Sequence, residues 1–150
     1  MTIAMGIHQG KSVELSIRNQ VGDIAIVVDT LDRIGKDWKI SAKTLDQLQV
    51  VLDELLSNIV KYAWPAGEHH ELQVHIRADN SDLKIVIIDD GKPFDPREHV
   101  PRERPEPGIR PTPGGVGIQM VRQLIDNLDY TRSNGRNEVT VTKRHALGQT

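Results

Sequence analysis

The chain of 150 residues has no cysteine, which excludes disulfide frameworks, thiolate nucleophiles and cysteine-ligated zinc or iron–sulfur centres. Aromatic residues are scarce, with two tryptophans, two tyrosines and one phenylalanine, too few to build a stacking platform for single-stranded nucleic acid. Neither sign of charge dominates: 19 basic residues face 21 acidic ones, for a net charge of -2. A general electrostatic grip on nucleic acid or on an anionic membrane is therefore not expected. Long apolar runs are missing as well. The longest spans residues 24–28, far short of the roughly 20 residues a membrane helix needs. Residues 1–10 show no basic segment leading into an apolar core, so no signal peptide is expected. With 37% hydrophobic and 27% charged residues, the composition is that of a folded domain, expected to be cytoplasmic.

What is present follows two periods. Residues 1–10 read as a tail. Val13, Leu15 and Ile17 alternate with polar residues, as in a strand. Val21, Ile24, Ala25, Val28 and Leu31 recur at helical spacing, with Gly35 as a candidate stop. Leu45, Leu48, Val51, Leu52, Leu55, Leu56 and Ile59 form the wide apolar face of a second helix. Thr44 or Ser41 would cap its start, and Pro65 would end it near Tyr62 or Ala63. Two strands should follow, the first around Leu72, Val74 and Ile76 and the second over residues 83–88. The latter is almost wholly apolar, as a central strand requires. Residues 93–113 hold seven of the eight prolines and read as a lid-like loop. Ile118, Val121, Leu124, Ile125 and Leu128 predict a third helix, and Asn134-Gly135 between residues 130–133 and 139–143 predicts a hairpin. The order predicts an α/β two-layer sandwich: a mixed, mostly antiparallel sheet covered on one face by about three helices. Its expected extent is 11–144, with the lid at 93–114 and a second tail at 145–150.

Three sequence positions carry chemistry. Glu54 and Asn58 are four apart on the second helix, so their Cβ atoms lie about 6 Å from each other on one face, beside the apolar stripe. A carboxylate and a carboxamide at that border must be hydrogen-bonded or occupied. The neutral oxygen of Asn58 suits Mg²⁺ whose charge is already met by phosphates, and Glu54 offers a base. Asp89-Asp90-Gly91 ends the apolar strand. An acid there can accept from an exocyclic amine such as that of adenine, and Gly91 allows a ligand close to the backbone. Gly114-Gly115-Val116-Gly117 leads into the third helix, where backbone N–H groups suit phosphate. Singly, each also fits an ordinary surface pair, an Asp-Gly turn or a hinge. Gly10-Lys11-Ser12 is not a P-loop, because Met5 stands where its first glycine belongs. The six histidines show no metal-ligand spacing on a predicted helix.

Taken in order, these motifs resemble those of the Bergerat-type ATP-binding fold shared by gyrase, a heat-shock chaperone, histidine kinases and a mismatch-repair ATPase. Glu54-Leu55-Leu56-Ser57-Asn58 is similar to its N box, Asp89-Asp90-Gly91 to its first glycine box and Gly114-Gly115-Val116-Gly117 to its second. Within that superfamily the chain resembles the bacterial anti-sigma-factor serine/threonine kinases of partner switching, over residues 11–144. The stretch Asn58-Ile59-Val60-Lys61-Tyr62-Ala63 and the terminal hairpin add to the likeness.

The resemblance implies ATP and Mg²⁺ as cofactors. Glu54 would be the general base on a partner's serine and Asn58 the metal residue. Asp89 would take the adenine amine with Gly91 beside the base, and Thr140 would be the polar position behind it. Gly115, Val116, Gly117 and Ile118 would line the phosphates, with Lys61 reaching one of them. It also implies a sigma factor or other regulator as partner, a small antagonist protein as substrate, and a homodimer. Lys92-Pro93 replaces the second glycine of the first box, and the lid carries Arg97, Arg102, Arg104 and Arg110. The competing functions are a non-catalytic nucleotide-switched binding module and a detached histidine-kinase-like ATPase domain. Against the first stands the retained Glu54, and against the second the lack of a helix pair bearing a phosphoacceptor histidine.

Overall fold

Side chains that alternate every second residue place one face of a strand against a core and the other toward water. Four stretches of the chain obey that rule in register. A computed structural model of the protein describes residues 2–5, 10–98 and 115–144. The chain runs β1 (Thr2–Met5), β2 (Lys11–Arg18), α1 (Val21–Asp37), α2 (Ala42–Tyr62), β3 (Glu71–Ala78) and β4 (Asp82–Asp89). A single 3-10 turn follows at Pro96–Glu98, then α3 (Gly115–Leu124), β5 (Asn127–Ser133) and β6 (Arg136–Arg144).

The strands form one sheet in the order β1-β2-β3-β4-β6-β5. Every pairing among the described strands is antiparallel, so the sheet is not mixed. Helix α1 enters after β2 and leads into α2, and β3 returns beside β2, so no parallel crossover arises. Val13, Leu15, Ile17, Val74, Ile76, Ile85, Ile87 and Val141 point inward from the sheet, and Val27, Leu31, Leu48, Leu52, Leu56 and Val121 meet them from the helices. Burial of that order is the main stabilising term, at ~25 cal/mol per Å² of apolar surface.

Several expectations need correction. Residues 2–5 are not tail but an edge strand pairing with residues 11–14, where β2 would otherwise leave backbone groups unpaired. Four residues are too few to display a period. Gly35 does not end α1. It lies buried inside the helix, where a Cβ would come within 2.4 Å of the Leu45 side chain, so it marks close approach of α1 and α2. Helix α3 stops at Leu124, and Leu128 belongs to β5, opposite Val141. Other signals hold. Ser41, not Thr44, caps α2, accepting from the Thr44 N–H at 3.2 Å, and the helix ends at Tyr62. Asp79 Oδ1 accepts from the N–H groups of Ser81 and Asp82 in the β3–β4 turn. Asn134 and Gly135 both have positive φ, at 53° and 74°, as a two-residue type I′ hairpin demands. Residues 99–114, with most of the expected lid, and 145–150 lie outside the described residues.

Candidate functional site

Helix α2 and the ends of β4 and β6 line a cleft that, counted out into open solvent, spans about 480 Å³. Leu55, Asn58, Ile59, Tyr62 and Ala63 come from α2, Asp89 from β4, and Asn137 and Val139 from β6. Lys92, Phe94 and Pro96 close it from the segment after β4. Helical spacing explains the α2 set: positions 55, 58, 59 and 62 share one face. The walls are mostly apolar and the polar groups few, as in a small-molecule site.

Asn58 and Asp89, 31 positions apart in the sequence, meet on this one cavity, and both are buried. Asn58 Nδ2 donates to Glu54 Oε1 at 3.2 Å. That bond leaves the Asn58 carbonyl oxygen as the amide's acceptor for anything bound in the cavity. Glu54 is half-buried and faces the first turn of α3: a Cβ on Gly117 would lie 1.9 Å from Glu54 Oε1. Gly115, Val116, Gly117 and Ile118 make up that turn, and the first N–H groups of a helix have no partner within it. The Ile118 side chain is in the core. Thus the acid, the amide and a helix N-terminus are contiguous. Gly114 lies outside the described residues.

At the other end of the cavity, Asp89 Oδ1 accepts from the Gly91 N–H at 2.9 Å and from Asn137 Nδ2 at 2.9 Å. Burial raises the Asp89 carboxyl above its ordinary range, against the opposing pull of the Asn137 and Gly91 hydrogen bonds. The nearby Asp90 charge adds to the rise and Arg132 opposes it. Gly91 packs against α2, where a Cβ would come within 2.5 Å of the Ala63 carbonyl oxygen, and the Lys92 N–H donates to that oxygen at 2.9 Å. Trp64 Nε1 donates to Asp90 at 3.0 Å, and its ring stacks on His70 with centroids 4.7 Å apart, which ties the α2–β3 connection to the same turn.

Two expected site residues stand elsewhere. Lys61 lies two turns beyond Glu54, about 10 Å along the axis, and lines a separate groove with Asn19, Gln20 and Trp64. Lys92 is the lysine on the cavity. Thr140 sits opposite Val86 on the outward face of the sheet, because β6 turns Asn137, Val139 and Val141 inward. Asn137, which register pairs with Asp89, occupies the inner position instead. It lies between the predicted turn and the predicted strand at 139–143, where the sequence reading assigns no role. The signal was there: counting back by twos from Val141 and Val139 puts a polar residue in the core. Of the lid arginines, Arg97 ion-pairs with Asp95 at 2.8 Å and lies 6.0 Å from the Tyr130 ring centroid, while Arg102, Arg104 and Arg110 are outside the described residues.

This arrangement has counterparts. Residues 17–143 match the family model described as the histidine kinase-like ATPase domain. The chain belongs to that family. It is 28% identical over 116 residues to the serine/threonine-protein kinase BtrW of Bordetella bronchiseptica, an alignment covering 77% of this chain and 82% of BtrW. It is 22% identical over 135 residues to the serine-protein kinase RsbW of Halalkalibacterium halodurans, covering 87% of this chain and 82% of that one. Among solved structures it resembles the RsbU and RsbW domains of Rv1364c from Mycobacterium tuberculosis, with a TM-score of 0.65 at 12% identity. That match covers 89% of this chain but only 32% of the solved one, so the histidine kinase-like ATPase domain corresponds to about a third of it. At that identity the likeness speaks to the fold, a two-layer α/β sandwich. No helix among the described residues is long and apolar enough to cross a membrane.

Proposed function

We propose that this ATPase-family domain is an ATP- and Mg²⁺-dependent serine/threonine protein kinase that acts as an anti-sigma regulatory factor in a cytoplasmic partner switch. Its substrate is a small antagonist protein, its other partner a sigma factor or similar regulator, and its working form a homodimer. The names of BtrW and RsbW support the kinase reading. One observation carries it at the level of this chain: Glu54, hydrogen-bonded to Asn58, abuts the first turn of α3 while Asn58 shares a cavity with Asp89.

The donor set fits the nucleotide. Asp89 is an acceptor at the apolar end, Asn58 keeps a neutral oxygen for Mg²⁺, and Gly117 lets the first turn of α3 approach the Glu54 carboxylate more closely than any side chain would allow. When bound, ATP–Mg²⁺ supplies the phosphoryl group and neutralises charge on it. Glu54 takes the proton from the attacking serine hydroxyl, and its bond from Asn58 Nδ2 fixes the carboxylate for that task. Positioning of this kind supplies most of the catalysis in phosphoryl transfer. The test is transfer of labelled phosphate from ATP to serine of the cognate antagonist. Glu54→Gln should lower the rate by about 10²-fold or more, in line with loss of a general base, while ATP affinity stays within a few-fold. Labelling at the unaltered rate in that variant refutes the assignment.

A further inference from the structure

The segment after β4 supplies three wall residues of the cavity, Lys92, Phe94 and Pro96, yet residues 90–95 lie in no helix or strand. Pro93 and Pro96 have no N–H to donate. Backbone with few hydrogen bonds opens locally at little cost, so this wall stands only as firmly as its two ends are held. The first end is fastened at Lys92. Its N–H donates to the Ala63 carbonyl on α2 at 2.9 Å, and its carbonyl accepts from Asn137 Nδ2 on β6 at 2.8 Å. The second end is fastened at Arg97. Asp95 accepts from the Arg97 N–H at 2.9 Å and from its guanidinium at 3.0 and 2.8 Å. Those side-chain bonds are the main cause that holds the Asp95 carboxyl below its ordinary range, and the Arg122 charge adds to the pull. The Arg97 guanidinium lies 6.0 Å from the Tyr130 ring centroid on β5, and the Arg97 carbonyl accepts from Arg122 Nη2 on α3.

Arg122 is therefore the link between two parts of the site. It is exposed and is not among the residues that line the cavity. Five residues before it, about 7.5 Å back along α3, Gly117 meets the Glu54 carboxylate. Its bond to Arg97 borders a shallow groove lined by Arg97, Arg122, Ile125, Asp126, Asn127 and Leu128, so it can break and reform without disturbing the core. We propose that Arg122 is a positioning residue that ties the Phe94–Pro96 wall to α3, so that wall and helix move as one body and a bound nucleotide leaves only when the tie opens. The proposal rests on the ATP reading of the cavity. It assigns Arg122 to nucleotide retention and not to chemistry, since its guanidinium ends on a backbone carbonyl behind the wall.

The experiment is stopped-flow release of a ribose-labelled fluorescent ATP from the full chain with Mg²⁺, chased by excess ATP, beside steady-state transfer to the cognate antagonist. Arg122→Ala should speed release by about tenfold, the scale of one hydrogen bond to a charged group, and raise KM for ATP without lowering kcat. Arg122→Lys, whose ammonium still donates to a carbonyl, should bring release back to within about threefold of the unaltered rate. Asp95→Ala, which frees Arg97 from its local hold, should also speed release. Combined with Arg122→Ala it should add little, because both act through Arg97. An unchanged release rate in Arg122→Ala, a kcat that falls while KM stays, or release as fast in Arg122→Lys as in Arg122→Ala would overturn the proposal. So would a lower thermal midpoint of the nucleotide-free chain with release unaltered, which is the mark of a merely structural role. If the unaltered protein does not bind the labelled ATP at all, the reading of the cavity itself fails instead.

Discussion

The contact between Gly117 and Glu54 is where a single atom decides activity. A β-carbon at 117 would overlap the Glu54 carboxylate, with Oε1 at 1.9 Å and Cδ at 2.0 Å. The clash is with the far end of a flexible side chain, so the fold need not give way, and Glu54 would swing off its bond from Asn58 Nδ2. Gly117→Ala should therefore separate chemistry from stability. Phosphoryl transfer should fall by about 10²-fold, the scale of a misplaced general base, with the thermal midpoint within a few degrees of the unaltered protein. A rate loss matched by global destabilisation would show instead that the glycine serves helix packing. Glycine is thus needed here for close approach, not for backbone freedom, and the same holds at Gly91.

At the scale of elements, the Asp89 end of the cavity depends on how β4 terminates against α2. The turn after β4 lies on the last turn of that helix, with Gly91 against Ala63 and the Lys92 N–H on the Ala63 carbonyl. A Cβ at 91 would meet the Ala63 backbone oxygen and Cβ, both at 2.5 Å, and neither can rotate away. Gly91→Ala should destabilise the protein by about 1–3 kcal/mol, the cost of overpacking, and weaken nucleotide binding at the same time. Urea titration would show it as a lower midpoint at unchanged slope. How far such elements can be read without coordinates depends on the range of the forces involved. Helix α2, its Ser41 cap, the strands at 71–78 and 82–89 and the Asn134-Gly135 turn rest on local periodicity and turn chemistry, which the sequence displays. The spacing of Glu54 and Asn58 is local too. The inward parity of β6 is not, since it depends on register against β4, which turns Asn137 inward and Thr140 outward. Lys61 borders a separate groove for a related reason. Proximity along a helix says nothing of which cavity the next two turns will border. β1 owes its existence to the free edge of β2, a property of the sheet rather than of its four residues.

For the whole molecule, occupancy of the cavity and stability are one equilibrium. The site is assembled from α2, α3, β4 and β6, elements distant in sequence that come together only in the folded chain, so a nucleotide binds the native state and not the unfolded one. Ligand at about 100 times its dissociation constant then adds about 2.7 kcal/mol. For a chain of this length that raises the thermal midpoint by roughly 5–11 °C. Asp89 makes the shift depend on pH. In the free protein burial raises its carboxyl above the unfolded value. Its contribution to folding is therefore complete below the unfolded pKa and is lost as pH rises through the folded one. Nucleotide binding runs the other way. An amine donating to Asp89 requires the ionised form, so affinity is full above the raised folded pKa and falls as pH drops through it. The ATP-induced shift should accordingly shrink on acidification from neutral pH into the upper carboxylate range, and Asp89→Asn should have a small shift that varies less over the same window. Differential scanning fluorimetry with and without ATP–Mg²⁺ across that window measures both. A shift that is independent of pH in the unaltered protein, or undiminished in Asp89→Asn, would place the nucleotide away from this acid.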